Sequence, residues 1–283
     1  MHATSNPPSQ RPTLIVNADD FGFTPAVTAG ILEAHAAGTV GSTSMMVHCP
    51  GWDDAVRQAR TTSTLDIGLH LNLLVGRPIV AARSLTDLRS GAFLPLATIV
   101  RRALLGALDS GEIEAEVTAQ IAALADAGIR CTHIDSHRHT HALPVIRGAV
   151  ARVAARQGLP LRRPVESHMR LAGGLASQLH RGVIGASWRV TSVGAPRTRA
   201  PDHFNGVTMQ GSGDFAGHFI RTIDRLPRGT TEIMVHPGRV DDALVAIDSF
   251  TFPRERELAA LTSPAVRERL RREDLRVITF SDL

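Results

Sequence analysis

The sequence alternates short apolar runs with stretches of helical spacing, and several apolar runs end on acidic or histidine side chains. Residues 13–18 (TLIVNA) are rich in β-branched residues, which predicts a buried strand ending at Asp19 and Asp20. Residues 25–38 then show helical spacing up to Gly38. Repeated strand–helix units are typical of parallel sheets, so the sequence predicts an α/β fold.

Further units follow along the chain. Strands are predicted at residues 42–48, 66–71, 132–136, 161–163, 232–235 and 276–280, and helices at residues 52–60, 112–127 and 143–157. This number of units favours a barrel over an open sheet. No GxGxxG motif follows the first strand, which argues against dinucleotide binding. Glycines and prolines interrupt residues 74–93, which predicts an extended loop over the barrel mouth.

The chain length and composition suit one domain. With 283 residues, 43% of them apolar, we expect a single domain at residues 13–283 after a flexible tail at residues 1–12. Weak periodicity predicts an irregular insertion around residues 173–213. Because there is neither an apolar run of membrane-spanning length nor a signal-like N-terminus, we expect a cytoplasmic protein with no integral membrane segment.

The charge pattern argues against a nucleic-acid partner. The formal net charge is only +4, and the arginines of residues 267–276 alternate with acidic residues, as on a solvated helix face. The two cysteines, Cys49 and Cys131, are too few for a disulfide framework and lack metal-ligand spacing.

Asp19 and Asp20 follow the first predicted strand directly. Adjacent side chains on an extended backbone point to opposite sides, so both carboxylates face one ligand only if the chain turns there. Phe21-Gly22 permits such a turn. Two close carboxylates repel each other, and a cation relieves the repulsion, leaving one as ligand and the other as base. A surface turn or a helix N-cap is the alternative explanation.

Four histidines occupy alternate positions between His133 and His141. On an extended chain this spacing places Asp135, His137 and His139 on one face. Burying such a face without partners costs several kcal/mol, and a metal ion is a natural partner. A solvated histidine-rich loop is the alternative.

His70 and His236 each close a predicted strand. His70 alone is typical of an ordinary hydrogen-bonded histidine, but two histidines and one carboxylate form a usual ligand set for a catalytic metal. His236 precedes Pro237-Gly238, which favours a rigidly held general acid. A hydrogen-bonding role beside the metal ligands is the alternative for His236.

These motifs together resemble the YdjC-type carbohydrate deacetylases, which include chitooligosaccharide and hopanoid-biosynthesis deacetylases. The matching segments are residues 17–22 (NADDFG), 68–70 (GLH), 132–141 (THIDSHRHTH) and 236–238 (HPG). The resemblance implies a distorted parallel β/α barrel of the glycoside hydrolase/deacetylase type.

The resemblance also implies roles for individual residues. It assigns the metal to Asp20, His70 and His137, the base to Asp19 and the acid to His236. Arg162, in a loose Arg-x-Pro match, would orient the base. Asp135 and His139 would contact the substrate or support the ligands.

The implied reaction is hydrolysis of an N-acetyl group on an amino sugar, either a chitooligosaccharide or an N-acetylglucosaminyl glycolipid such as a hopanoid precursor. One divalent cation is expected; Zn²⁺ suits the ligands best, and Mg²⁺, Mn²⁺ and Co²⁺ stay open. A metal-dependent phosphoesterase or other amidohydrolase on the same barrel is one alternative. A non-catalytic carbohydrate-binding protein is another. A homodimer also stays open.

Overall fold

The computed structural model describes residues 11–166 and 174–283. Its strands form one parallel sheet in the order β4-β3-β2-β1-β6-β5, and β7 pairs with the first two residues of β1. The strands are β1 (Thr13–Phe21), β2 (Ser42–Met45), β3 (Asp66–Leu71), β4 (Ile134–Ser136), β5 (His203–Asn205), β6 (Thr230–Val235) and β7 (Arg276–Val277). The predicted α/β class is confirmed.

Residues 161–166 connect the two edges of this sheet. Leu161 forms a parallel bridge with Ile134 of β4, and Glu166 forms one with Phe204 of β5. The sheet therefore curves into a distorted barrel, as predicted. The expected strand at residues 161–163 is reduced to a single bridge, because the segment turns from one edge to the other.

Helices surround the sheet. They are α1 (Pro25–Ala36), α2 (Trp52–Thr61), α3 (Leu96–Leu104), α4 (Ser110–Asp126), α5 (Ile146–Gln157), α6 (Leu175–Thr191), α7 (Phe215–Ile223), α8 (Asp242–Ile247), α9 (Phe252–Leu261) and α10 (Pro264–Leu270). Helix α1 begins where Thr24 accepts a hydrogen bond from the Val27 amide and Pro25 occupies the first turn. No described helix is long and apolar enough to cross a bilayer.

The stretch expected to be irregular, around residues 173–213, contains helix α6 and strand β5 in its described part, with turns and loops between and after them. The periodicity of α6 escapes detection because apolar residues lie on both its buried and its exposed side. Residues 1–10 of the predicted tail, and Gly173, lie outside the described residues.

Two glycines bring α1 against the segment that follows β6. A Cβ atom on Gly30 would lie 2.5 Å from the Cα of Gly238 and 2.9 Å from the Arg239 nitrogen. Real Cβ atoms do not approach backbone this closely, so this packing requires glycine at position 30. The contact fixes the backbone two residues beyond His236.

We predict that Gly30→Ala lowers the free energy of unfolding by about 1–3 kcal/mol, because neither backbone can move away freely. Urea unfolding followed by circular dichroism measures the change. Gly182→Ala is the matched control, since a Cβ on that helical glycine meets no atom within 4 Å. The control should be neutral or up to about 1 kcal/mol more stable. Equal stability of Gly30→Ala and the wild type would contradict this packing argument.

Candidate active site

The carboxyl ends of the strands carry a group of buried polar side chains. They are Asp19 and Asp20 on β1, His70 on β3, Asp135 on β4 and His236 directly after β6. Because parallel strands end at the same side of a barrel, the alternating pattern brings residues distant in sequence together there. This position of the polar residues, at the carboxyl ends of the strands, agrees with the sequence prediction.

The chain turns at Asp20. This residue has a φ of 75°, in the left-handed region that aspartate tolerates better than most residues. The register between β1 and β2 shifts between Ala18 and Phe21 at the same point. The turn lets both Asp19 and Asp20 face one pocket. Both are buried, so a surface turn is excluded, and the N-cap of α1 is Thr24.

One oxygen of Asp20 lies between two imidazoles. Asp20 Oδ1 is 3.1 Å from His70 Nε2 and 3.0 Å from His137 Nδ1. Ligand atoms of these three residues lie within 4.8 Å of one another, and all three residues are buried. One carboxylate with two imidazoles is a donor set that binds Zn²⁺ and related divalent ions. The predicted metal ligands are therefore brought together.

Asp135 contacts the ring nitrogen of His70 that faces away from Asp20. His70 Nδ1 is 2.7 Å from Asp135 Oδ1 and 3.0 Å from the Ser44 hydroxyl. Because Asp135 is also paired with Arg162, it acts as the acceptor of the Nδ1 proton, and Nε2 is the atom directed at Asp20. A carboxylate that holds the second nitrogen of a ligand histidine is a common arrangement at metal centres.

The carboxylates also set the protonation of His70. Burial alone would lower its pKa, but the neighbouring Asp135 and Asp19 outweigh burial and raise the pKa to about 10. Without a cation, His70 is therefore protonated near neutral pH. A divalent ion at Nε2 has to displace that proton, so metal affinity should increase with pH.

Arg162 lies at the centre of the polar interior and is fully buried. Its Nη1 and Nη2 donate to the two oxygens of Asp19 at 2.6 and 2.7 Å. It also contacts Asp135 at 2.8 Å and Glu232 at 2.6 Å. Burial raises the pKa of Asp19, yet the charge and hydrogen bonds of Arg162 bring it well below the usual range. Asp19 is thus ionised near neutral pH.

A second group of possible ligands consists of Asp19, His70 and Asp135. Arg162 already provides a cation to both of these carboxylates, and Asp135 occupies His70 Nδ1. The donors of this group are therefore satisfied within the protein. Asp20, His70 and His137 are the better metal site.

Asp20 has a further partner that the sequence analysis missed. Arg254 Nη2 is 2.7 Å from Asp20 Oδ2 and 3.1 Å from Asp248 Oδ2. Arg138 contacts the other oxygen of Asp248 at 2.5 Å. Burial raises the pKa of Asp20, but Arg254 and His137 lower it well below the usual range. Arg254 thereby leaves only Oδ1 of Asp20 free for a cation.

His236 lies on the other side of Asp19. Its Nε2 is 4.0 Å from Asp19 Oδ2 and 3.4 Å from the Gln210 amide nitrogen, and its ring lies edge-on to Phe250. The His236 amide donates to buried Glu257 at 2.6 Å. Burial lowers the pKa of His236 to about 4 despite nearby Asp19. His236 is therefore neutral near pH 7.

The histidine tract does not form one extended face, and that prediction is wrong. Strand β4 ends at Ser136, and a 3₁₀ helix follows in which Arg138 and His139 have φ of 56° and 52°. This turn directs His137 to Asp20, while His139 lies edge-on to Phe204. All four histidines are buried, which also excludes a solvated loop.

The other two histidines of the tract are structural. His133 stacks on Phe280 at 3.7 Å between ring centroids, and a Cβ on Gly68 would overlap its ring. His141 Nδ1 lies 2.5 Å from the Ser136 hydroxyl. The glycine of the Gly68-Leu69-His70 motif therefore makes room for a packed histidine.

The pocket over this centre is lined by Asp19, Asp20, His70, His137 and His236, together with His139, Arg138, His180, Gln210 and Phe250. Asp135 and Arg162 lie behind its wall and do not line it. No residue of the 74–93 loop lines it either, so this loop forms no part of the pocket wall. Glu112 and Glu116 of α4 hold the loop through the amides of Ser84, Ile79 and Val80.

Known proteins resemble this chain over most of its length. A model of the family described as YdjC-like protein matches residues 13–272. The chain belongs to the YdjC-like family. It is 34% identical over 278 residues to a carbohydrate deacetylase of Brevibacillus brevis and 32% identical over 277 residues to one of Listeria monocytogenes. Each match covers 95% of this chain and 99% of the relative.

A solved structure has the same fold. It is a protein of Enterococcus faecalis, named as a proposed cellobiose-phosphate cleavage protein, with a TM-score of 0.76 and 28% identity. The match covers 96% of this chain and 98% of that protein.

We predict that His70 makes the metal-free protein less stable as pH rises. Its folded pKa of about 10 exceeds the unfolded value of roughly 6.5, so its contribution is complete below pH 6.5 and is lost towards pH 10. Between about pH 7.5 and 8.5, the chelator-treated wild type should lose about 1 kcal/mol of unfolding free energy relative to His70→Asn. Urea unfolding at several pH values measures this difference.

His35→Asn is the control, because His35 lies outside the site and contacts Val40 and Thr64. It should keep the wild-type dependence on pH. Identical slopes in the wild type and His70→Asn would show that the carboxylates do not hold a proton on His70.

Proposed function

We propose that this protein is a metal-dependent hydrolase that removes an N-acetyl group from an amino sugar. The observation that carries the proposal is the buried group of Asp20, His70 and His137 beside an ionised Asp19 in one pocket. Relatives named carbohydrate deacetylases, matched over nearly their whole length, support the same reaction. A metal-dependent amide hydrolase combines a cation with a base for water and an acid for the departing amine.

The residues fit a divalent cation. Asp20 Oδ1 and His70 Nε2 converge with His137, and Asp135 fixes the tautomer of His70. A cation held there supplies a Lewis acid that activates water and polarises the amide carbonyl. Zn²⁺ matches two imidazoles and a carboxylate best, with Mg²⁺, Mn²⁺ and Co²⁺ as alternatives.

Asp19 is the proposed base. It lines the pocket beside Asp20, and the two bonds from Arg162 fix the orientation of its carboxylate. The same ion pair makes Asp19 a weak base, so it holds the proton of the attacking water only briefly. Arg162 is a positioning residue in this scheme, since it does not line the pocket.

His236 is the proposed acid. Its Nε2 accepts a hydrogen bond from Gln210 and lies 4.0 Å from Asp19 Oδ2. Because His236 is neutral before reaction, it first takes up the proton collected by Asp19 and then protonates the departing amine. Cleavage of the C–N bond then yields acetate and a free amino sugar.

The substrate is either a short chitooligosaccharide or an N-acetylglucosaminyl glycolipid. Phe250 is the aromatic side chain of the pocket lining, apart from the histidines, and it offers one apolar surface for a sugar ring. The sequence contains nine Phe, two Trp and no Tyr, which gives little support to a long stacked oligosaccharide. His139 also lines the pocket and is the proposed contact of the acetylated ring.

We predict that metal-reconstituted wild type releases acetate from N-acetylated amino sugars. Asp20→Ala should lose both metal and activity, because it removes the oxygen between the two imidazoles. Asp19→Asn should keep the metal but lose at least about 100-fold in kcat, as expected for removing a base. A coupled acetate assay and elemental analysis of the same samples measure both properties.

Asp126→Asn, which changes an exposed carboxylate at the end of α4, is the control and should keep full activity and metal content. Full turnover by Asp19→Asn would remove Asp19 as the base. Release of phosphate from sugar phosphates, with no acetate from any N-acetylated sugar, would instead support a phosphoesterase. Sugar binding without turnover under every divalent ion would favour a non-catalytic protein.

A further inference from the structure

Helix α6 presents an apolar face to solvent. Its buried side consists of Ile184, Gly185 and Trp188. Its large apolar side chains on the opposite side are strongly exposed, with Leu175 at 78%, Leu179 at 62%, Val183 at 67% and Val190 at 74%. At about 100° per residue these four lie within one quadrant of the helix surface. We call these four residues the α6 stripe.

The α6 stripe is continuous. It extends about 22 Å along the helix, and exposed Ala186 and Gly182 fill the positions between its large side chains. A helix that is apolar on both sides normally has a partner on each. Exposed apolar surface of this extent marks interaction sites in soluble proteins.

The segment of the chain that contains the α6 stripe carries only positive formal charges. Residues 167–201 contain no Asp or Glu but five arginines. Of these, Arg189 lies on α6 and is exposed, and Arg197 is exposed beyond the end of the helix. Apolar side chains flanked by arginine, without carboxylates, match an anionic lipid surface, where the apolar groups insert and the cations meet the headgroups.

The position of the stripe also favours a lipid surface over a protein partner. His180 of α6 lines the pocket over Asp20 and His70. A protein chain covering α6 would obstruct this wall, whereas a bilayer would bring its headgroups towards it. On another wall, exposed Phe252 follows Phe250 by two residues, so apolar side chains flank the pocket there as well.

We propose that the α6 stripe docks the protein onto an anionic membrane surface with the pocket facing the headgroup layer. The docking does not depend on the proposed function. Docking would also present the acetylated sugar of a glycolipid to the pocket. This second part rests on the proposed function, and it selects the glycolipid over the chitooligosaccharide as the substrate.

Vesicle sedimentation tests the docking. The wild type should bind phosphatidylcholine vesicles that contain phosphatidylglycerol, and Leu179→Ser with Val183→Ser should weaken binding about tenfold or more, since both side chains lose apolar burial. Leu104→Ser with Leu105→Ser is the matched control, because these leucines of the α3 end are equally exposed, at 70% and 74%. The control should bind like the wild type.

Two further measurements sharpen the test. Arg189→Gln should weaken binding to the anionic vesicles about fivefold, and added salt should weaken it further. All variants should keep wild-type acetate release from a soluble N-acetylated sugar. If no protein releases acetate, the proposed function fails, whereas the vesicle result still decides the docking.

Three outcomes would overturn the docking proposal. The first is a wild type that does not sediment with anionic vesicles. The second is equal binding by the α6 stripe variant and the control. The third is a dimer in analytical ultracentrifugation that the α6 stripe variant dissociates, which would show that a second copy covers this face.

Discussion

The buried guanidinium of Arg162 holds the interior of this barrel together. It joins Asp19 of β1, Asp135 of β4 and Glu232 of β6, so one cation connects strands that are far apart in sequence. Removing one partner from such a buried network leaves an uncompensated charge and costs several kcal/mol. The network thus links the closure of the barrel to the position of the Asp19 carboxylate, the proposed base.

The same interior contains more carboxylates than Arg162 can neutralise. Burial raises the pKa of Glu232 to about 7 although Arg162 opposes this, and His70 takes up a proton in response to Asp135 and Asp19. Arg254 provides a second cation to Asp20. A divalent ion at Asp20, His70 and His137 would relieve the remaining repulsion, which is one physical reason for this site to bind metal.

Sequence periodicity predicts the strands β1, β3 and β6 and the helices α1, α2 and α4 within a few residues. The strands are short runs buried at nearly every residue, whereas each helix buries only one side. It also predicts which side chains converge, since parallel strands end at one side of the barrel. The Arg254 contact was missed because a Phe-Pro-Arg-Glu-Arg helix start resembles any solvated charged helix. Glu232, in contrast, was detectable as one charge inside an apolar strand.

Backbone strain accounts for the difference between the predicted and the observed histidine tract. Asp20, Arg138 and His139 all adopt left-handed conformations within the pocket wall, and no spacing rule for an extended strand anticipates them. These turns place two adjacent carboxylates in one pocket and separate His137 from His139. Local geometry therefore decides that His137, and not His139, joins Asp20 and His70 in the candidate metal site.

The central claim is that Asp20, His70 and His137 together bind one cation. Anomalous diffraction from crystals of the metal-reconstituted protein, collected at the absorption edge of the bound metal, locates that ion. A single anomalous peak within about 2.0–2.2 Å of Asp20 Oδ1, His70 Nε2 and a His137 ring nitrogen is the predicted result for Zn²⁺. A peak between Asp19 and Asp135, or no peak in active crystals, would contradict the account.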